Sequence, residues 1–341
     1  MRPKYNLTIA TAAAISLLSL CNIAAADSDA TSIGGKTYVD FSNIDKTQNG
    51  TKVDPSGFGV DVKRFYFVVD HKFDDTWSAD LTTDFNYVSG DGETQVFVKK
   101  AYIQAKLNKS TALRGGSADM PWIPFVEGIY DYRYVEGTLN DRQHVANSAD
   151  WGLHLKGGNS MFNYQVSAVN GGGYKHPNQR SKGMDFEGRV AIQPNEHITL
   201  ALGGYSGHLG KDTQALAAEH AASRYNLLAG YVTQSFRIGA EYFSADNWKN
   251  VTTAETDSET GFSVFSSVSV GGSGAVFARY DKTDLSKDLD PNAENKYFHV
   301  GYSFKPTKGL DVAFVYKDDK TDVTGSETKT REIGIFTQAK F

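Results

Sequence analysis

Thiols are nearly missing from this chain: Cys21 is the one cysteine in 341 residues, and it stands in a leading segment expected to be cut away. Disulfides, thiolate metal sites and cysteine nucleophiles are thereby excluded from the exported protein. Lipid attachment at Cys21 would need a small residue before it, and Leu20 stands there. Beyond the leader no stretch approaches the roughly 18 apolar residues of a membrane helix, which rules out a helical inner-membrane protein. Proline is scarce, at 8, and the net charge of −5 is too small to require nucleic acid or any strongly charged partner. Catalytic signatures are missing as well: no Gly-x-Ser-x-Gly elbow, His-Glu-x-x-His helix or complete phosphate-binding Gly-x-x-x-x-Gly-Lys-Ser/Thr loop occurs. The histidines are scattered without metal spacing. Asp288-x-Asp290-x-Asn292 opens like a calcium loop, but Ala293 replaces the needed glycine and His299 the bidentate acid. No enzyme activity, cofactor or metal is expected.

What is present points to a membrane wall built from strands. Arg2 and Lys4, an apolar run over residues 7–20, and Ala24, Ala25 and Ala26 read as a secretory signal cleaved before Asp27. The chain is rich in Gly (33), Tyr (18) and Phe (20), as a barrel with lipid-facing aromatics and glycine turns would be. Period-2 alternation is clear in residues 77–87, where Trp77, Ala79, Leu81, Thr83, Phe85 and Tyr87 alternate with Ser78, Asp80, Thr82, Asp84 and Asn86. It recurs at the carboxyl end, where Ile333, Ile335, Thr337, Ala339 and Phe341 share a face. A chain stopping there suits a last strand that pairs with the first and leaves no free edge.

About sixteen such segments follow one another, the first at residues 36–42, joined alternately by tight turns and longer polar loops, among them one at Gly90-Asp91-Gly92 and one just before the terminal strand. Roughly 20 residues per strand plus connection fits transmembrane strands of about 9–11 residues. The expected fold is all-β: a transmembrane antiparallel β-barrel of sixteen strands over residues 27–341, with short periplasmic turns and long extracellular loops. A soluble sandwich would not place long polar loops so regularly on every other connection. Two segments, 60–73 and 262–270, have ambiguous facing, and the alanine-rich stretch 207–223 could hold a short helix.

Charges on lipid-facing positions would cost about 2–4 kcal/mol each for Arg or Lys, so the strand cations are expected to point into the lumen. The pore-lining candidates are Arg64, Lys100, Arg114, Lys156, Arg189, Arg237 and Arg279, joined by acids such as Asp80, Asp84, Glu187 and Glu241. The longest interruption, residues 118–149, is the candidate constriction. It interleaves Glu127, Asp131, Glu136 and Asp141 with Arg133 and Arg142, and carries Trp122, Phe125, Tyr130, Tyr132 and Tyr134 to pack against the wall. An acidic loop facing a basic wall would set a transverse field across the channel. The alternative for that loop is an extracellular cover over the mouth.

Four stretches resemble the phosphate-selective porins O and P: Lys63-Arg64-Phe65-Tyr66-Phe67 with Lys72-Phe73; Lys99-Lys100-Ala101-Tyr102-Ile103; Leu113-Arg114-Gly115-Gly116 leading to Pro121; and Asp150-Trp151-Gly152-Leu153-His154-Leu155-Lys156-Gly157. They cover roughly residues 60–160. The resemblance implies a sixteen-stranded, trimeric channel with the loop after the fifth strand folded inward. It departs in charge: that family uses a dense row of lumenal arginines and lysines, whereas basic and acidic groups are comparable in number here, so the phosphate preference is not carried over.

The reading is therefore an outer-membrane porin of a Gram-negative bacterium that lets small hydrophilic solutes or ions diffuse passively. Its partners would be those solutes, outer-membrane lipid and two further copies of the chain, with no nucleic acid. A channel preferring anions, phosphate or carbohydrate is the near alternative. A barrel-embedded lipid hydrolase or a plugged adhesin or receptor is the distant one.

Overall fold

The structure, a computed structural model, describes residues 30–87, 94–178 and 180–341. The expected signal, residues 1–26, and the loop expected at Gly90-Asp91-Gly92 lie outside the described residues. Among the described residues, seventeen strands follow in chain order: β1 (Thr31–Gln48), the two-residue β2 (Thr51–Lys52), β3 (Gly57–Lys72), β4 (Trp77–Tyr87), β5 (Thr94–Lys106), β6 (Thr111–Asp119), β7 (Ala149–Gly158), β8 (Phe162–Val169), β9 (Asp185–Ile192), β10 (Ile198–Gly207), β11 (Ala222–Val232), β12 (Phe236–Asp246), β13 (Ser258–Ser269), β14 (Ala275–Asp284), β15 (Glu294–Thr307), β16 (Leu310–Val323) and β17 (Ser326–Lys340). Two helices, α1 (Ile123–Tyr130) and α2 (Leu139–Arg142), lie between β6 and β7.

The sixteen long strands form one closed antiparallel ring. Each pairs with its chain neighbours, β1 pairs directly with β3 around the small β2 hairpin, and β1 closes on β17 from Lys36 opposite Lys340 to Gln48 opposite Thr328. Closure removes every edge, which a strand structure in hydrocarbon requires. The alternation dictates the two faces: Leu202, Leu227, Tyr242, Phe262 and Phe314 are exposed on the outside, while Glu187, Arg224, Glu241, Arg279 and His299 are buried inside. So continuous an apolar outer band is untenable in water and fits acyl chains. Aromatic pairs sit near both ends of the strands, among them Tyr231 with Phe236 and Phe304 with Phe314 beside tight turns, and Phe262 with Tyr280 toward the far side.

Three expectations are revised. Residues 208–221 form turns, and no helix occurs there. The polar stretch before the last strand is not a loop: β16 and β17 stay paired up to Val323 opposite Ser326, and the Thr324-Gly325 turn is made possible by a positive φ of 82° at Gly325. Strand β1 runs 18 residues, far beyond the expected 36–42. The ambiguous facing of residues 60–73 comes from a register shift at Tyr38/Val39 of β1, which skips Lys63. In residues 262–270 it comes from Phe265, an inward aromatic that packs on Tyr130 with ring centroids 5.2 Å apart.

Candidate functional site: the lumen and its inner loop

Residues 120–148 leave β6 and return to β7 after packing onto inward-facing side chains of the wall. Helix α1 starts with proline in its first turn and buries Ile123, Val126 and Tyr130 on one face. It stops at Asp131, which adopts a left-handed φ of 70° while its N–H donates to the Glu127 carbonyl at 2.9 Å. Helix ends leave donors and acceptors without partners, and here the barrel supplies them. The Trp122 N–H donates to Glu187 at 3.1 Å, and the Leu139 N–H to Glu241 at 3.2 Å. Glu241 also accepts the Trp122 indole N–H at 2.8 Å, so one carboxylate of β12 holds two points of the loop. Cationic side chains supply the complementary donors: Arg189 to the Pro121 carbonyl at 2.9 Å, Arg237 to Ile129, Arg279 to Gly137, Arg224 to Val145, and Lys317 to Val135 at 2.8 Å. These bonds fall on β9, β11, β12, β14 and β16. Apolar packing completes the seat, with Tyr132 stacked on Phe277 at 4.0 Å and the Arg189 guanidinium 3.7 Å from the Phe125 ring centre.

The loop's own charges are largely spent on this seat. Arg133 pairs with Glu127 at 2.8 Å and Asp141 at 2.7 Å. Asp131 pairs with Arg237 at 3.2 Å, and Glu136 with Lys317 at 3.5 Å. Arg142 reaches Asp281 at 3.0 Å, Asp319 at 3.1 Å and Asn295 at 2.6 Å. Burial by itself would raise the Glu136 carboxyl, but Lys317, then Arg142 and Arg279, overcome it and bring it down to about 2.

Across from the anchored half, the wall of β1, β3, β5, β6 and β7 borders open space. One space of about 430 Å³ is lined by Lys36, Tyr38, Tyr66, Lys99, Lys100, Asp119 and Glu127. Another of about 690 Å³ is lined by Lys106, Lys109, Arg114, Asp119, Lys156 and Arg189, among others. Asp119 lies 3.5 Å from Lys100 and 3.9 Å from Arg114. Arg64 lies 3.7 Å from Asp84. Among the described residues, Lys36, Lys99 and Lys156 have no carboxylate at ion-pair distance.

The candidates from the sequence thus occupy three places. Arg64, Lys100, Arg114 and Lys156 stand on the open wall. Arg189, Arg237 and Arg279 hold loop carbonyls, and Glu127, Asp131, Arg133, Glu136, Asp141 and Arg142 form the loop's ion pairs. Sequence reasoning missed Lys36, Lys99, Arg224 and Lys317 among the lining and anchoring groups, while Glu187, expected in the lumen, serves as an anchor. The doubled Lys99-Lys100 was the one visible signal, since a single residue cannot share a regular strand face with its neighbour.

Comparison with known proteins agrees with this architecture. The family described as phosphate-selective porin O and P matches residues 32–191. No curated protein matches the chain. Among solved structures, an anion-selective porin from Comamonas acidovorans is similar at 14% identity and a TM-score of 0.65, covering 91% of this chain and 99% of that one. A loop L8 deletion mutant of OmpT, an outer-membrane protein of Vibrio cholerae, is similar at 13% identity and a TM-score of 0.64, with coverage of 91% and 99%. OmpT in its trimer form follows at 13% identity and a TM-score of 0.59, with the same coverage. Residues 32–191, carried on a sixteen-stranded antiparallel porin barrel, thus match the phosphate-selective porin O and P family.

Proposed function

We propose that the protein is a passive diffusion channel of the Gram-negative outer membrane, delivered there by its amino-terminal signal and assembled as a homotrimer in outer-membrane lipid. The inner loop at 118–149 narrows the barrel, and small hydrophilic solutes pass along the β1–β7 wall. Charge preference follows from which charges are left over. The loop carboxylates are matched by Arg133, Arg237 and Lys317, whereas Lys36, Lys99 and Lys156 border the open spaces with no carboxylate at ion-pair distance among the described residues. A solute crossing there exchanges hydration for ammonium groups and tyrosine hydroxyls, which favours anions over cations. That surplus of lysine is the observation that carries the reading, and the anion-selective relative from Comamonas acidovorans is consistent with it. Family and fold are those of a channel, and no catalytic role is assigned.

The test is single-channel recording of purified protein in planar bilayers under a potassium chloride gradient. Open ohmic steps with a reversal potential on the chloride side are expected. Correctly folded protein that carries no current would sink the channel reading, and a potassium-side reversal would sink the anion preference alone.

A further inference from the structure

Two strands of the open wall each carry one residue more than the ladder can use. Between Tyr38 and Val39 of β1 the partner on β3 steps from Arg64 to Val62, leaving Lys63 unpaired. Between Thr82 and Thr83 of β4 the partner on β5 steps from Lys100 to Val98, leaving Lys99 unpaired. These are β-bulges, which re-aim side chains at the cost of local pairing. In a regular strand Lys99 would face opposite to Lys100 and enter the acyl region. The bulge turns both inward, and the Ser117 hydroxyl holds the Lys99 carbonyl at 2.7 Å.

The two inserted cations meet different fates. Lys63 is neutralised by Asp61 at 2.7 Å and Asp40 at 3.1 Å. Lys99 has the Tyr66 hydroxyl at 3.1 Å and the ring centres of Tyr66 and Tyr174 at 4.7 and 5.6 Å, and among the described residues no carboxylate at ion-pair distance. Lys36 approaches the same Tyr66 ring at 5.4 Å, and both lysines line the 430 Å³ space. Aromatic rings hold an ammonium in place without cancelling its charge.

We propose that Lys99, delivered to the lumen by the β5 bulge, contacts the permeating anion together with Lys36 and sets the channel's charge preference. The inference rests on the proposed passage of anions and names the residue that selects them. Lys63, inserted by the same device, is a structural counter-charge to Asp40 and Asp61.

The experiment compares reversal potentials of the wild-type channel with Lys99→Gln, Lys99→Arg and Lys36→Gln in a potassium chloride gradient. Heat-resistant migration in detergent gels would confirm folding. Lys99→Gln should lower the chloride-to-potassium permeability ratio about threefold to fivefold, the effect of one unit charge a few ångströms away in a watery medium. Lys99→Arg should keep the wild-type ratio, and Lys36→Gln, which lies in a regular strand and disturbs no bulge, should lower it in the same direction. An unchanged ratio in Lys99→Gln, or in Lys36→Gln if the first variant does not fold, overturns the proposal. So does an arginine variant that behaves like the glutamine one. A wild-type ratio of one or less would refute anion preference itself, while the wild-type-to-variant comparison still decides the role of Lys99.

Discussion

Replacing Glu241 by glutamine would test whether the inner loop is held in place by a few buried carboxylates. Glu241 is 2% exposed and accepts from the Trp122 indole and the Leu139 amide, two groups at the starts of α1 and α2. A carboxylate can accept both, whereas a glutamine side chain keeps one acceptor and turns an NH₂ toward the other donor. Losing one hydrogen bond to a charged acceptor costs about 1.5–3 kcal/mol. The other anchors remain, so the loop should not leave the lumen. The local opening equilibrium around α1 should instead shift about tenfold to a hundredfold, since each 1.4 kcal/mol is a factor of about ten. Opening of this kind appears as current noise on the open channel, with a modest rise in mean conductance and loss of protection from proteolysis near residue 130. A Glu241→Gln channel as quiet as wild type, with the same conductance, would refute the idea that this carboxylate latches the loop.

Two further outcomes follow from the same seat. The Glu136 carboxyl lies well below its ordinary range, at about 2, so the Lys317 attachment it supports is fully present above about pH 4.5 and is lost as the pH falls toward 2. Conductance noise recorded from pH 7 downward should therefore stay flat to about pH 4 and rise below it, and the rise should vanish in Glu136→Gln. At Gly203 of β10, an added Cβ would stand 2.5 Å from Cε3 of Trp122, whose ring is wedged against the wall. Gly203→Leu should push Trp122 off its seat and lower the unfolding temperature in detergent gels, whereas Gly183→Ala, with open space around it, should change nothing.

The wall was legible in the sequence because a barrel strand has only two faces, and Leu81 or Phe262 cannot share one with Asp80 or Ser263. What escaped was everything set by pairing across the ring. The Lys63 and Lys99 bulges are defined by what β1 and β4 skip, and no local pattern shows a skipped residue. Phe265 looked misplaced because inward aromatics serve the loop, which lies far earlier in the chain. Residues 208–221 show the opposite failure: alanine favours a helix, but the stretch between β10 and β11 spends its backbone on turns tied to side chains such as Asp212, whose carboxylate takes the Ala218 N–H at 3.0 Å. For the lumen, much of the list of charged residues was recoverable and their division into anchors and free groups was not, since an anchor such as Arg189 and a free group such as Lys156 both sit at regular inward positions.

That division has an evolutionary reading. The strap across the bore takes its polar fastenings from one semicircle of staves, and the proposed path runs along the other. On the proposed path, Lys36 and Lys99 can be changed while the strap's polar fastenings on β9, β11, β12, β14 and β16 stay in place. A lineage, or an engineer, can therefore swap cargo by editing a few side chains on one arc of an otherwise fixed frame.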